Sequence, residues 1–430
     1  MKRLEDLVDE LSLLENIGRV GHFLTLVTLS APRYTDFPVH NANVADPDMG
    51  ILYNTPQFEF KFVPHSGKGF TLLRAIKSAI GEALERGLPL AHPPRPVLVA
   101  RYSELGEPAL GPKELPLFAP HQKVPFRPFT ERSYVGWVKL EGGERPLAPG
   151  QIVAFGYRAV KGEELIGYSS SGGLALGIGL EALYRGALEF VERDAVNLGW
   201  HSDIPPFRIK ISLEEALRLV GVRPRPLDYK LHVFLWRTDV EGVYVVTAHL
   251  IAKRPIYAYM PGGGAGFSFE EALARALGEV GQAYAFAYTA ARIRKELGRD
   301  SPLYFVNKDA DPGEADNLFR IVWYWGYQEN LKKLYDIFFS RARESDVPKR
   351  DGPERLSHRL SLLPPYYWYE YKGVEPLRLV KVLIPSLTQY NSPRWPMFGH
   401  PRYYEAKRIL GVCDCKVTYD ELRKISVPYP

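Results

Sequence analysis

The chain has 430 residues, of which 46% are hydrophobic and 24% charged, as is usual for a soluble globular protein. The net charge of +5 is small for this length and no lysine- or arginine-rich run occurs, so nucleic acid is not an expected partner. No stretch of about 18 apolar residues is present, which argues against residence in a membrane.

The two cysteines and the amino terminus suggest a cellular compartment. Cys413 and Cys415 are the only cysteines, too few for a disulfide framework, and without a nearby histidine they make a poor metal site. The acidic segment Met1–Asn16 lacks the basic start and unbroken apolar run of a signal peptide and is expected to form an amphipathic helix. We therefore expect a reducing, cytoplasmic location.

In chain order, the first half alternates β-type runs with two helices. Strands are predicted at Phe23–Leu29, Phe58–Phe62, Pro96–Arg101, Tyr134–Leu140 and Ile152–Tyr157. The first helix is predicted from Leu72 to Arg86, before a proline-rich stretch, and the second follows the strand at Ile152–Tyr157.

The second half continues the same alternation. A helix is predicted at Leu213–Leu219, strands at Tyr229–Trp236 and Gly242–Ala252, and a third long helix begins near Ser268, where a Ser-x-x-Glu capping box occurs. After it we expect a helix at Ala315–Arg343, a proline-aromatic loop at Leu363–Tyr371 and a strand at Leu377–Ile384.

No low-complexity linker interrupts the chain, so we predict one cooperative α/β (α+β) unit. Within residues 1–430 it comprises N-terminal strands (1–60), a core (61–390) and a C-terminal segment (391–430) that ends in Pro-Tyr-Pro. The comparable placing of the three helices after strands suggests mixed sheets with internal pseudo-symmetry around one site.

The most informative feature is a polar pattern that three helices share. It occurs at Ser78–Arg86, Arg185–Arg193 and Arg275–Gln282: a polar residue, a glutamate four positions on, and a carboxylate or carboxamide three further. At helical spacing these side chains line one face of helices that are otherwise apolar, and we call each such line of polar residues a stripe. Buried carboxylates repel one another, and a divalent cation would relieve that cost.

The available ligands are all oxygen donors: Glu82, Glu85, Glu189, Glu192, Glu279 and Gln282. Such a set suits Mg²⁺, Ca²⁺ or Mn²⁺ rather than zinc or iron. Mg²⁺ usually shares its shell with substrate phosphates, which suggests a nucleotide. For one stripe alone, a solvated face with internal ion pairs would be the better interpretation; three similar stripes favour a site.

Glycine-rich segments precede each stripe and are interpreted as phosphate-binding turns. They are Gly67–Gly69, Ser171–Gly179 and Gly262–Gly266. Backbone N–H groups there could approach phosphate, with charge balanced by Lys68, Arg193 and Arg275. No P-loop or dinucleotide fingerprint is present, and these glycines could instead be simple turns.

At these residues the chain resembles the YcaO family. The family helix Ser-x-x-x-Glu-x-x-Glu-Arg is matched at Ser78–Arg86, and a Ser-Asn-Gly-Leu-Ala-x-Gly turn with Glu-x-x-Glu-Arg-Asp is matched at Ser171–Gly177 and Glu189–Asp194. The third element, Ala-x-x-Arg-Ala-x-x-Glu-x-x-Gln, is matched at Ala272–Gln282. The resemblance spans about residues 60–390.

The resemblance implies an ATP-binding fold in which glutamate pairs hold Mg²⁺ against the phosphates. The implied metal ligands are Glu82, Glu85, Glu189 and Glu192, and the implied contacts to nucleotide or metal-bound water are Lys68, Ser78, Ser171, Arg193, Arg275, Glu279 and Gln282. Members activate a peptide amide by phosphorylating its oxygen, and cyclodehydratases form thiazoline or oxazoline from Cys, Ser or Thr.

Two departures from the family pattern affect this expectation. Gly172 replaces the asparagine of the glycine turn, and the Pro-x-Pro-x-Pro ending of many cyclodehydratases is shortened here to Pro428-Tyr429-Pro430. The resemblance implies that the Pro430 carboxylate enters the site, and with Arg275 it is the predicted catalytic group.

The implied partners are a ribosomally made precursor peptide and a separate leader-binding protein, either ubiquitin-activating-enzyme-like or TfuA-type, because the chain has no room before the first motif for such a domain. A flavin dehydrogenase is a further candidate. The alternatives to a cyclodehydratase are a thioamide-forming YcaO that works with a TfuA-type partner, and a non-catalytic nucleotide-binding scaffold.

Overall fold

A computed structural model describes residues 25–30, 37–45, 64–224, 228–253, 257–298, 306–312, 318–349, 355–388 and 395–429. Three features predicted from the sequence lie outside these ranges: the helix at Met1–Asn16, the strand at Phe58–Phe62 and the terminal Pro430.

The described residues form helices and short strands in alternation. The helices are α1 Leu72–Ala91, α2 Gly150–Val153, α3 Leu180–His201, α4 Leu213–Leu219, α5 Phe269–Leu297, α6 Leu318–Trp325, α7 Gln328–Ile337, α8 Leu356–Ser361 and α9 Arg402–Ile409. The strands are β1 Thr25–Ser30, β2 His40–Ala45, β3 Pro64–Gly69, β4 Leu98–Arg101, β5 Tyr134–Lys139, β6 Leu147–Pro149, β7 Leu174–Gly177, β8 Phe207–Ile209, β9 Tyr229–Trp236, β10 Tyr244–Ala252, β11 Tyr259–Gly266, β12 Arg343–Ser345, β13 Tyr367–Tyr371 and β14 Arg378–Leu383.

These strands pair in four sheets, with orders β1-β2-β3, β4-β5-β6, β13-β14-β7 and β11-β10-β9-β8-β12. Neighbouring strands are antiparallel except β12 and β8, which are parallel, so the largest sheet is mixed. The predicted α+β class with mixed sheets is confirmed.

Three strand–helix units repeat within this architecture. β3 leads into α1, β7 into α3 and β11 into α5, and in each unit two residues separate strand from helix: 70–71, 178–179 and 267–268. Side-chain caps start two of these helices: the Thr71 hydroxyl accepts from the Arg74 N–H at 3.3 Å, and that of Ser268 from the Glu271 N–H at 3.1 Å. The predicted start at Ser268 is confirmed, although Glu271 accepts from the Phe267 N–H rather than completing the box.

The glycines of the first and third units lie within strands, so their interpretation as turns is wrong. A Cβ on Gly67 would lie 2.0 Å from the Ala79 nitrogen, and one on Gly262 would lie 2.3 Å from the Ala276 carbonyl oxygen. The missing side chains let each helix backbone pack directly on the strand before it. In the second unit, residues 171–173 do form a turn, with Gly173 at φ +79°, before β7 begins.

The apolar core accounts for the shape of the site helices. α3 is buried along most of its length, and α5 packs through Ala272, Ala276, Val280 and Ala283, all fully buried. On the β2–β3 hairpin, Ala42 packs with the buried alanines of α1, while the Asn41 amide donates to the Gly281 carbonyl of α5 at 3.1 Å. The hairpin therefore lies between α1 and α5.

Several other predicted elements match closely, among them α4, β9, β10 and β14. Three predicted secondary-structure elements are wrong. Ile152–Tyr157 is the end of α2 and a turn rather than a strand, because a short apolar run does not distinguish buried helix from buried strand. The second half of the loop at Leu363–Tyr371 is β13, which is stabilised by pairing with β14.

The single helix predicted at Ala315–Arg343 is two helices, α6 and α7, followed by β12. Gly326 lies at the break, where an added Cβ would be 2.5 Å from the Val322 carbonyl oxygen and 3.0 Å from Tyr257 Cα. A close approach to a distant segment thus ends α6, and the helical periodicity alone does not predict this.

Cys413 and Cys415 are joined by a disulfide bond. The structure therefore does not support the use of these cysteines as evidence for a reducing compartment. Within the described ranges, every helix is too short or too polar to cross a membrane.

We predict that Gly262→Ala strongly destabilises the fold, because its Cβ would meet the Ala276 carbonyl oxygen at 2.3 Å and the Val280 nitrogen at 2.5 Å, both of them helix backbone. The control is Gly81→Ala on α1, where no atom lies within 4 Å of the added Cβ. This change should be neutral or stabilise the protein by up to about 1 kcal/mol. Thermal unfolding checks both; equal melting temperatures would contradict the packing role of Gly262.

Candidate functional site

The three stripes place their acidic side chains where α1, α3 and α5 meet. Glu85 of α1 lies near Glu189 of α3; burial raises the pKa of Glu85, and the charge of Glu189 adds to this rise. One turn further along α3, Glu192 experiences the charges of Glu279 on α5 and of Glu189. The structure thus brings together four of the predicted ligands in two neighbouring pairs, Glu85 with Glu189 and Glu192 with Glu279. We call these four residues the carboxylate cluster.

Backbone N–H groups of nearby strands and turns hold three of these carboxylates. The Glu85 carboxylate accepts from the Leu176 N–H at 3.1 Å, that of Glu189 from the Gly173 N–H at 3.1 Å, and that of Glu279 from the Gly263 N–H at 2.9 Å. These hydrogen bonds fix the orientation of each side chain, and those to Glu85 and Glu279 oppose the rise in pKa that burial causes. The sequence does not show them, because each joins residues at least 16 positions apart.

Burial nevertheless opposes ionisation at two positions. Desolvation, with the charge of Glu189, raises the pKa of Glu85 to about 7, although Arg185 and Arg86 act in the opposite sense. Desolvation also raises the pKa of Glu192, where Arg193 opposes and Glu279 adds to the shift. Additional positive charge near Glu85 and Glu192 would stabilise the ionised form of both carboxyl groups.

Glu279 differs because it has a cationic partner. The Lys68 ammonium lies 2.7 Å from the Glu279 Oε1 atom. Burial alone would raise the pKa of Glu279, but Lys68 and Arg193 together lower it. Lys68 was predicted to balance phosphate charge; here it reaches the site from β3 and balances a carboxylate.

The two predicted arginines have different surroundings. Arg193 lies 3.7 Å from the Glu189 carboxylate, and its guanidinium is 5.3 Å from the centre of the Tyr429 ring. Arg275 lies 3.0 Å from Glu271 in its own helix, and Arg359 binds the same carboxylate at 3.2 Å. Arg193 is therefore inside the carboxylate cluster, whereas Arg275 belongs to an ion-pair network on α5.

The remaining predicted residues lie on α1, on α5 and in the turn before β7. Glu82 forms an ion pair with Arg86 at 3.1 Å, one turn along α1. Gln282 donates from its amide to the Ser66 carbonyl on β3. Ser78 is half-buried on α1, and the Ser171 carbonyl accepts from the Leu174 N–H in the turn before β7.

Lys381 on β14 is a site residue that the sequence analysis missed. Its side chain is only 6% exposed, and its ammonium donates to the Gly172 carbonyl in the turn that precedes β7. Burial lowers the pKa of Lys381 to about 8, while Glu189 acts in the opposite sense. The signal in the sequence is one lysine inside the apolar strand Arg378-Leu-Val-Lys-Val-Leu383, which reads equally well as a half-exposed strand position.

The end of the chain also reaches the cluster. Residues 426–429 are buried, and the Tyr429 hydroxyl donates to the Glu192 Oε1 atom. The predicted docking of a carboxyl-terminal tail is thus seen up to Tyr429. Pro430, whose carboxylate was the predicted catalytic group, lies outside the described residues.

The donor set fits a divalent cation that a ligand helps to hold. Within the described ranges, no three side chains of Asp, Glu, His or Cys converge closely enough to hold an ion. Mg²⁺ commonly takes one or two carboxylates and completes its shell with water and substrate phosphates. The paired carboxylates, of which Glu192 is buried and the other three are partly buried, supply that share, and Lys68, Arg193 and Lys381 supply positive charge beside them.

A family model described as YcaO cyclodehydratase, ATP- and Mg²⁺-binding, matches residues 66–387. The chain therefore belongs to the YcaO family, which confirms the resemblance drawn from the three stripes. The expected cofactors, ATP and Mg²⁺, are those of the family description. No curated protein matches the chain significantly.

Solved structures share this fold. YcaO from Methanopyrus kandleri, bound with AMPPCP and Mg²⁺, is 20% identical, with a TM-score of 0.56 over 90% of this chain and 91% of that one. A heterocyclase in complex with substrate and cofactor is 20% identical, with a TM-score of 0.69; the match covers 97% of this chain but only 57% of the heterocyclase. The E. coli microcin synthetase McbBCD complex is 13% identical, with a TM-score of 0.61 over 95% of this chain and 96% of that one.

We predict that burial of Glu85 makes stability depend on pH. Its pKa is about 7 in the folded protein against an ordinary 4.5, so the folded state retains a proton that the unfolded state loses as pH rises through this window. Without metal or nucleotide, the melting temperature should therefore fall more between about pH 5 and about pH 8 in the wild type than in Glu85→Gln. Mg²⁺ with AMPPCP should restore stability most at the higher pH. Parallel pH profiles for the two proteins would contradict this account.

Proposed function

We propose that this member of the YcaO family is an ATP- and Mg²⁺-dependent cyclodehydratase that forms thiazoline or oxazoline from Cys, Ser or Thr of a ribosomally made peptide. The observation that supports this choice within the family is the docked tail, in which the Tyr429 hydroxyl donates a hydrogen bond to the Glu192 carboxylate. A stiff Pro-Tyr-Pro ending that reaches the carboxylate cluster fits the cyclodehydratase role of the terminal carboxylate expected from the sequence.

The proposed reaction removes the elements of water from the peptide. The acceptor thiol or hydroxyl attacks the preceding amide carbon, the former carbonyl oxygen leaves as phosphate, and loss of the amide proton completes a C=N bond in a five-membered ring. ATP would supply the phosphoryl group that makes this oxygen a leaving group, and Mg²⁺ would offset the charge on the phosphates.

The protein residues then have three tasks. Glu85 with Glu189, and Glu192 with Glu279, would each supply carboxylate oxygens to a Mg²⁺ whose shell the phosphates complete, and Glu82 on α1 remains a proposed further ligand. Backbone N–H contacts keep Glu85, Glu189 and Glu279 oriented before the metal binds. Cations would bind the phosphate oxygens, and three lie beside the cluster: Lys68, Arg193 and Lys381. In phosphoryl transfer, such positioning and charge neutralisation supply most of the catalysis.

The third task is proton removal from the acceptor. The proposed base is the terminal carboxylate of Pro430, which follows Tyr429 directly in the chain. Arg275 is proposed to orient phosphate or substrate from the edge of the cluster. Its side chain is 36% exposed and can therefore reach a ligand, although Glu271 neutralises part of its charge.

A partner protein is proposed to bind the leader of the precursor. One matched structure is the McbBCD complex with pro-MccB17 bound, and the matched heterocyclase is considerably longer than the region it shares with this chain. Both observations favour an assembly in which another polypeptide or domain presents the peptide.

Mass spectrometry tests the proposal. A candidate precursor peptide and partner protein, encoded beside this chain, are incubated with it, ATP and Mg²⁺. Loss of one water per modified residue supports cyclodehydration. Exchange of oxygen for sulfur when sulfide is supplied would replace it with thioamide formation, and an unmodified peptide despite ATP binding would favour a scaffold.

We predict that Glu192→Gln lowers ATP turnover and peptide modification by at least about 100-fold, because a buried metal ligand loses its charge. The fold should remain intact, since the change removes repulsion with Glu279. The control is Glu214→Gln on α4, an exposed glutamate that pairs with Arg218 one turn along the same helix; its activity should equal that of the wild type. Full activity in Glu192→Gln would refute the metal assignment.

A further inference from the structure

The last described residues run along α3 in the opposite direction and are held by their backbone. At the carboxyl end of α3, the His201 Nδ1 atom lies 2.7 Å from the Arg423 carbonyl oxygen, and the Trp200 indole N–H donates to the Ile425 carbonyl at 2.7 Å. About two turns before Trp200 on α3, the Glu192 carboxylate accepts a hydrogen bond from the Tyr429 hydroxyl. The tail therefore leads from the end of α3 to the carboxylate cluster.

A third side chain anchors the tail close to the site. The Tyr259 hydroxyl, on β11, donates to the Pro428 carbonyl at 2.6 Å. Tyr259 is fully buried, and burial raises its pKa well above the usual range, so its hydroxyl stays protonated. The backbone of Pro428 has no N–H and can only accept a hydrogen bond through its carbonyl, so its partner must be a donor such as the protonated Tyr259 hydroxyl.

Tyr259 is itself positioned by a chain of buried polar groups. The His249 Nδ1 atom lies 2.7 Å from the Tyr259 hydroxyl, the His249 Nε2 atom lies 2.9 Å from the Thr247 hydroxyl, and the Trp236 indole N–H donates to that hydroxyl at 2.9 Å. Because Tyr259 donates to Pro428, it accepts from an Nδ1–H of His249, and Thr247 donates to Nε2.

Every donor in this chain has an acceptor, so the direction of the hydrogen bonds is set from Trp236 to Pro428. Burial holds the pKa of His249 well below its usual range, which keeps the ring in this neutral form. Satisfied buried networks of this kind are rigid, because breaking any one bond leaves a polar group unpaired in the core. None of these four residues belongs to the three stripes.

At the far end, the Tyr429 ring fits against a glycine. A Cβ on Gly263 would lie 2.2 Å from the ring, and the neighbouring Glu192 Oε1 atom would lie 2.7 Å from it. Gly263 also donates its N–H to Glu279. The same residue of β11 thus makes room for Tyr429 and orients one of the carboxylates.

We propose that Tyr259 is the positioning residue for the carboxyl-terminal tail and that Tyr429 orients Glu192 for a divalent metal, so that tail docking and metal binding promote each other. Hydrogen-bond donors behind a ligand carboxylate fix its orientation and strengthen metal binding. By linkage, a metal that favours the oriented Glu192 stabilises the docked tail by the same free energy. This inference rests on the proposed function in taking Glu192 as a metal ligand.

The test compares three tyrosine-to-phenylalanine variants. Tyr259→Phe removes the donor to Pro428, and Tyr429→Phe removes the donor to Glu192. Tyr371→Phe is the matched control. Tyr371, on β13 and away from the tail, is also buried and donates to a backbone carbonyl, that of Phe155, at 2.8 Å. Hydrogen–deuterium exchange of the C-terminal peptide reports tail docking, and electron paramagnetic resonance with Mn²⁺ and AMPPCP reports metal affinity.

We expect Tyr259→Phe to speed exchange in the tail and to weaken Mn²⁺ binding by roughly 10-fold, the lower end for loss of a group behind a metal ligand. Tyr429→Phe should weaken Mn²⁺ binding similarly, and Mn²⁺ should slow tail exchange in the wild type but not in this variant. Tyr371→Phe should change neither measurement. Wild-type tail exchange in Tyr259→Phe would overturn the anchor, and unchanged Mn²⁺ affinity in both tail variants would overturn the coupling.

These outcomes are separable from failure of the proposed function. If Mn²⁺ affinity in Glu192→Gln equals that of the wild type, Glu192 is not a ligand, and both the coupling and the metal assignment are wrong. If Mn²⁺ and the tail respond as expected but no peptide is cyclised, the inference stands and the cyclodehydratase proposal fails.

Discussion

The structure depends on the burial of like-charged carboxylates at the meeting point of three helices. Glu85 and Glu192 are desolvated and lie beside other glutamates, and both have raised pKa values as a result. Such a cluster opposes folding unless cations or hydrogen-bond donors offset it. Here backbone N–H groups, Lys68 and Arg193 offset part of the negative charge of the carboxylates. The negative charge that remains favours binding of a divalent cation together with its nucleotide.

The three strand–helix units explain how one fold brings these groups together. Glycines in β3 and β11 let α1 and α5 pack on their strands without intervening side chains. In the third unit, adjacent glycines of β11 have two roles: Gly262 admits the α5 backbone, and Gly263 donates its N–H to Glu279. The Glu85 carboxylate of α1 is held instead by the Leu176 N–H of β7, in the neighbouring unit.

The sequence predicts the helix stripes well, because the spacing of Glu189 and Glu192 is a local property of one helix. It does not distinguish a glycine in a turn from one such as Gly262 that admits a helix backbone, since both need only a missing Cβ. Lys381 and Tyr429 become site residues through contacts with segments more than 200 positions away. Local patterns carry no information on such contacts, and docking of the tail is expected only from the resemblance of the Pro-Tyr-Pro ending to that of the YcaO cyclodehydratases.

Crystals grown with Mn²⁺ and AMPPCP test the central claim most directly, because the anomalous signal of Mn²⁺ locates the ion without reference to the protein atoms. The account predicts manganese peaks at coordination distance, about 2.0–2.6 Å, from carboxylate oxygens of Glu85, Glu189, Glu192 or Glu279, with the phosphates on the side of Lys68 and Arg193. Manganese and nucleotide bound elsewhere, with these carboxylates contacting neither, would contradict it.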